Sequence, residues 1–142
     1  MRLQEVLRAE PDHVVTLPPK ASLSQASALM MLERVGAIPV CEGGRILGIL
    51  SERDLAVAIA VRGPELFGLC VGELMSSNVP RATPSDSVSD VMRTMTQTRA
   101  RHVPVVDGES VVGVMSLGDV RLAEQIQENA ALQDMARARP TA

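Results

Sequence analysis

Two Ser-x-x-Asp tetrads, Ser51 to Asp54 and Ser116 to Asp119, are the residues whose types and spacing could do chemistry. At the start of a helix such a serine accepts a backbone N–H, and the acid three positions on answers the serine's own N–H, which makes a capping box. The same geometry can serve a ligand. A helix N-terminus favours phosphate, the hydroxyl adds a donor, and the carboxylate can accept both hydroxyls of a ribose. Arg53 lies inside the first tetrad, where its guanidinium could grip phosphate with two parallel bonds. Gly118 takes its place in the second, so the two sites should not be equivalent. Arg99, Arg101 and His102 form a second group of cations with no acid nearby in the sequence. An unperturbed histidine titrates near neutral pH, so anion binding at His102 would depend on pH.

Catalytic chemistry has no such support. No nucleophile stands beside a base, no metal-ligand spacing occurs, and no glycine pattern suits a phosphate loop. Cys41 and Cys70 fit neither a metal motif nor a secreted disulfide framework and read as two reduced thiols of a cytoplasmic protein. The chain is therefore expected not to be an enzyme.

The elements that would position these residues come as a repeat. Displaced by about 65 residues, the sequence matches itself without a gap. Val14 falls on Val79, Pro19 on Pro84, Ser22 on Ser87, Arg34 on Arg99, Pro39 on Pro104, Gly48 on Gly113 and Asp54 on Asp119. Most other pairs are apolar on apolar, such as Ile38 with Val103 and Ile49 with Val114. Two copies, each with an apolar face too large to leave in water, suggest halves packed on one another by pseudo-twofold symmetry.

Within a copy the hydrophobic period switches. Val14 to Leu17 is a short extended run stopped by Pro18 and Pro19. Ser22 caps a helix carrying Leu23, Ala26 and Met30 on one face, and Gly36 is expected to end it as a left-handed cap. Ala37 to Cys41 is a strand whose Pro39 calls for an edge or a bulge. Gly43-Gly44 makes a hairpin turn into the buried strand Ile46 to Leu50, and Ser51 opens a helix that stops near Gly63-Pro64. The second copy repeats this order, with strands at His102 to Val106 and Val111 to Met115. A short helix is expected at Val71 to Leu74, and a polar helix beyond Val120 has only a weak apolar stripe.

Composition excludes other classes. The net charge of −3 offers no basic field for nucleic acid or an anionic membrane. Phe67 is the sole aromatic residue, so no platform exists for stacking single-stranded bases. No apolar run approaches the ~18 residues of a membrane span, and the charged start, with Arg2, Glu5 and Arg8, is wrong for a signal peptide. His13 is given no role.

The sequence resembles a pair of cystathionine-β-synthase (CBS) domains, the arrangement called a Bateman module. Three features carry the likeness, each twice and at one offset: Ile38-Pro39-Val40 with Val103-Pro104-Val105, Gly48 to Ser51 with Gly113 to Ser116, and the Ser-x-x-Asp tetrads. The resemblance implies an α+β fold of two βαββα repeats with pseudo-twofold symmetry, plus a C-terminal helix. Its divisions fall at an N-terminal segment (1–12), repeat 1 (13–62), a linker with a short helix (63–76), repeat 2 (77–122) and a C-terminal helix and tail (123–142).

It also implies an adenosine compound (AMP, ADP, ATP, NAD or S-adenosylmethionine) as regulatory ligand between the repeats, no required cofactor, and a homodimer acting on an unidentified effector protein. The binding residues implied are Ser51, Arg53 and Asp54, with Arg101 and His102 toward phosphate. Thr16 and Ile38 would wall one pocket, Ala82 and Val103 the other, with Arg81 matching Thr16 and with Ser116 and Asp119 completing the second site. The rival expectation is a structural dimer module whose Ser-Asp pairs act only as helix caps.

Overall fold

The computed structural model describes residues 1–7 and 14–138. His13 lies outside them. Each repeat is built round a two-stranded antiparallel hairpin flanked by helices. In repeat 1, α2 (Leu23–Glu33) leads into β1 (Ala37–Glu42), β2 (Arg45–Ser51) and α3 (Glu52–Arg62). In repeat 2, α5 (Val88–Thr98) leads into β3 (His102–Asp107), β4 (Ser110–Ser116) and α6 (Leu117–Ala138). Two four-residue helices precede them, α1 (Leu3–Val6) and α4 (Val71–Leu74), and a 3-10 helix (Gly63–Gly68) follows α3.

Local chemistry sets these boundaries. Ser22 and Gln25 close a capping box on α2. Gly43 and Gly44 both take positive φ (60° and 79°), as the tight hairpin turn between Glu42 and Arg45 requires. The two prolines are accommodated beside bulges, at Val40/Cys41 and at Val105/Val106. The opening extended run of each repeat is reduced to a single parallel bridge, Leu17 with Val40 and Ala82 with Val105.

One expectation about a helix end is corrected. Gly36 is not the left-handed cap of α2: the helix stops at Glu33, and Arg34 takes that conformation (φ 55°, ψ 44°). Arg99 does the same after α5 (φ 57°, ψ 23°). Gly36 is small for a tertiary reason. A Cβ there would stand 2.7 Å from a Glu52 carboxylate oxygen and 3.3 Å from His102 Nε2.

Each repeat has its own aliphatic core. Ile38, Val40, Leu50, Ala26 and Met30 fill the first, and Val103, Val105, Met115, Val91 and Met95 the second. Burying side chains of this size contributes roughly 1.5–3 kcal/mol each. The short helices are exchanged between the cores. Leu3 of α1, fully buried, belongs to the core of repeat 2, whereas Val71 of α4 belongs to the core of repeat 1. The backbone repeats the exchange: Leu3 N–H donates to Asp86 O and Gln4 N–H to Pro84 O, as Val71 N–H donates to Ala21 O and Gly72 N–H to Pro19 O. The first residues are thus part of the second repeat's structure. At the other end α6 runs unbroken past residue 122. From Glu128 to Ala138 every residue of it is exposed.

Candidate functional site

The hairpin pairing fixes where α3 begins. Ser51 lies opposite Ala37 at the end of β2, and Glu52 N–H donates to Gly36 O at 2.9 Å. Leu117 N–H donates to Arg101 O in the same way in repeat 2. Ser51 and Asp54 form the box: Ser51 N–H to Asp54 Oδ2 at 2.9 Å, and Asp54 N–H to Ser51 Oγ at 3.1 Å. Ser116 and Asp119 form the same box, with both bonds at 3.1 Å. In both tetrads, then, the residues do cap their helices.

The first box has a third member. Ser76, just past α4, exchanges two backbone bonds with Ile49 and donates its hydroxyl to Asp54 Oδ1 at 3.3 Å. Gly48 makes this approach possible, because a Cβ there would fall 2.6 Å from the Ser76 carbonyl oxygen. Asp54 is therefore held by two donors on its two oxygens, and each oxygen keeps a further lone pair for a ligand hydroxyl.

Across from this box stands the start of β3. Ser51, Arg53, Asp54 and Ser76 share a cleft of about 360 Å³ with Arg99, Ala100, Arg101 and His102. Ile49 and Val79 supply apolar surface, and Gly36 and Glu52 complete it. The wall thus combines both repeats. Glu52 N–H and Asp54 N–H are satisfied within the protein. The positive charge open to an anion therefore comes chiefly from Arg53, Arg99 and Arg101. All three are exposed, and the ion pairs among the described residues, Arg45 with Glu109 and Arg93 with Asp90, use none of them. His102 is half-buried. Burial pushes its imidazole below the ordinary value of 6.5, against the pull of the Glu52 and Asp119 carboxylates and with some help from Arg101.

Of the expected residues, Ser51, Arg53, Asp54, Arg101 and His102 meet in this one cleft. Ile38, Ala82 and Val103 instead give their side chains to the two cores. Thr16 is exposed and lines no part of it. Arg81 is exposed and reaches from repeat 2 to the Ile46 carbonyl at 3.4 Å. Ser116 and Asp119 stand apart, at the start of α6. A smaller cleft of about 210 Å³ occupies the pseudo-symmetric place, where Val35, Ala37 and Val114 stand for Ala100, His102 and Ile49. Sequence reasoning missed Gly36, Glu52 and Ser76. The repeat offset could have flagged Glu52, which matches Leu117, but Ser76 has no local signal.

Two hairpin-and-helix repeats with a cleft lined by both define a tandem-repeat domain pair. The sequence model of the family described as CBS domain matches residues 6–61 and 71–125, and the chain belongs to that family as a tandem pair. A CBS domain-containing protein, YhcV of Bacillus subtilis, is 34% identical over 117 residues, covering 82% of this chain and 83% of that one. The crystal structure of the CBS-domain protein ATU1752 from Agrobacterium tumefaciens superposes with a TM-score of 0.80 at 33% identity, over 87% of this chain and 99% of that one. The structure of CBSX2 in complex with AMP superposes at 0.73 with 25% identity, over 89% and 98%. Among the described residues, no helix is long and apolar enough to cross a membrane and no cluster of side chains suits a metal ion.

Proposed function

We propose that this chain is a regulatory module that binds an adenine nucleotide in the cleft between its repeats and passes the occupancy to a partner protein. One observation carries the reading: a carboxylate–serine box on repeat 1 faces unpaired cations on repeat 2. Asp54 would take the ribose hydroxyls, and Arg53, Arg101 and His102 the phosphate. Adenine would lie against Ile49 and Val79, since aliphatic walls suffice for such pockets. The AMP complex of a relative with the same fold supports the ligand class. Among the described residues the serine hydroxyls of the cleft serve the Asp54 box and no metal set is present; the proposed module acts by binding rather than turnover, as a homodimer in the cytoplasm.

The test is a dye-monitored thermal melt, because the chain has no Trp or Tyr. A ligand at about 100 times its dissociation constant adds about 2.7 kcal/mol. A shift with one adenine compound, lost in the Asp54→Ala/Asp119→Ala double variant while the fold persists, supports the reading. Unchanged affinity in that variant refutes these sites. A second reading, a dimer module without nucleotide, is favoured by apolar residues on the outer helices: Met31, Leu32, Ile59, Val61 and Phe67 are all more than half exposed. It predicts self-association that no adenine compound changes.

A further inference from the structure

We infer that the cleft selects a nucleotide carrying a chain of two or three phosphates, and selects against S-adenosylmethionine. This deepens the nucleotide reading and rests on it.

Three guanidinium groups converge on the cleft from two sides. Arg53 comes from the first turn of α3, and Arg99 and Arg101 come from the junction of α5 with β3. Like charges brought to one cleft repel, and among the described residues no ion pair relieves them. Among the described residues, Glu52 and Asp54 are the acids lining it, and Asp54 already accepts two donors. An anion between the walls removes the repulsion and joins the two repeats.

Arg99 takes the left-handed conformation after α5 as Arg34 does after α2, so that backbone belongs to the fold of both repeats. Its guanidinium is the third on this cleft. The pseudo-symmetric positions show what the fold itself demands. Gly118 stands for Arg53, Gly36 for Arg101 and Ala37 for His102, so the framework needs no cation at any of them.

With the ribose at Asp54, a single phosphate next to it presents one compact set of oxygens to one side. A longer phosphate chain presents separate sets to Arg53 and to the pair on the facing wall, each capable of charge-assisted bonds. S-adenosylmethionine carries a sulfonium and an ammonium against a single carboxylate into the same space, a net positive charge that three cations oppose.

The experiment is calorimetric titration of the intact chain with adenosine, AMP, ADP, ATP, S-adenosylmethionine and inorganic tripolyphosphate. The expected order is ATP and ADP at least tenfold tighter than AMP, AMP tighter than adenosine, and S-adenosylmethionine weakest. Arg99→Gln and Arg101→Gln should each weaken ATP about tenfold and leave adenosine unchanged. That split separates a lost phosphate contact from a damaged fold. Adenosine or S-adenosylmethionine binding as tightly as ATP overturns the inference and leaves the nucleotide reading standing. Tripolyphosphate binding that depends on the arginines, without binding of any adenine compound, overturns the nucleotide reading and keeps the selection for polyphosphate. Binding of none of the six overturns both.

Discussion

The two Ser-x-x-Asp boxes share their capping serine and aspartate, but only Asp54 also receives the Ser76 hydroxyl, so their removal should cost different amounts. In Asp119→Ala the box loses the acceptor for Ser116 N–H, bonded at 3.1 Å in an exposed setting. A lost capping interaction of this kind costs about 0.5–1 kcal/mol. Asp54→Ala loses the same acceptor at 2.9 Å in a half-buried setting and also strands the Ser76 hydroxyl, 3.3 Å away. A bond to a charged acceptor contributes about 1.5–3 kcal/mol at best; the length and partial exposure here reduce it to about 1. Asp54→Ala should therefore cost about 2 kcal/mol and Asp119→Ala at most about half of that. For a chain of this size the difference lowers Tm by roughly 3–4 °C. Urea unfolding followed by far-UV circular dichroism measures both variants, and Ser76→Ala should reproduce most of the difference. Equal losses in the two aspartate variants would show that Ser76 does not hold Asp54, and the two sites would then be equivalent as caps.

Three more variants test the packing. Gly48→Ala should cost about 1–3 kcal/mol, because its Cβ meets the Ser76 carbonyl oxygen at 2.6 Å; Gly68→Ala, with open space around it, should stay within about 0.5 kcal/mol in the same urea series. Leu3→Ala should cost about 2–5 kcal/mol despite its place near the chain start, since the side chain is fully buried in the second core; a loss below about 1 kcal/mol would contradict the exchanged packing. His102, depressed by burial, must take up a proton on unfolding when the pH lies between its lowered folded value and 6.5. In that window the unfolded state binds more protons, so stability rises with pH and is lost as pH falls below about 6.5. Urea midpoints taken across that range should flatten in His102→Gln, and an unchanged slope would refute the assignment.

The internal repeat carried most of the fold in plain view. Pro39 and Pro104 marked strands at bulges, Gly43-Gly44 marked a hairpin, and the serines marked helix starts, because each acts within a few residues of itself. Features set by distant contacts were hidden. Glycine is the usual left-handed cap, so Gly36 looked like one, but its small size answers to Glu52 and to His102 of the other repeat. Arg34 took the cap although nothing about an arginine announces it. Ile38 and Val103 lie in runs that are apolar on successive positions, and Ala82 stands between Arg81 and Thr83 with no pattern around it, so the sequence could not tell which side chains face a core. Ser76 reaches Asp54 only because α4 packs on the preceding repeat. The cluster of Ser51, Arg53, Asp54, Arg101 and His102 was legible because matched tetrads and a run of cations stand out against an aliphatic background.

The exchange of α1 and α4 bears on how such a chain can be divided. A cut within Gly63–Gly68 separates the hairpins cleanly, yet each fragment would carry away the helix that closes the other's core. Neither half would be complete as a free-standing domain. The two fragments would be mutual complements, each a template for the other, and a single repeat made alone could close its core only by borrowing α1 or α4 from a twin. Fusion of two repeats turns that borrowing between molecules into one within a chain. A reporter split at this point should reassemble only when both pieces are present.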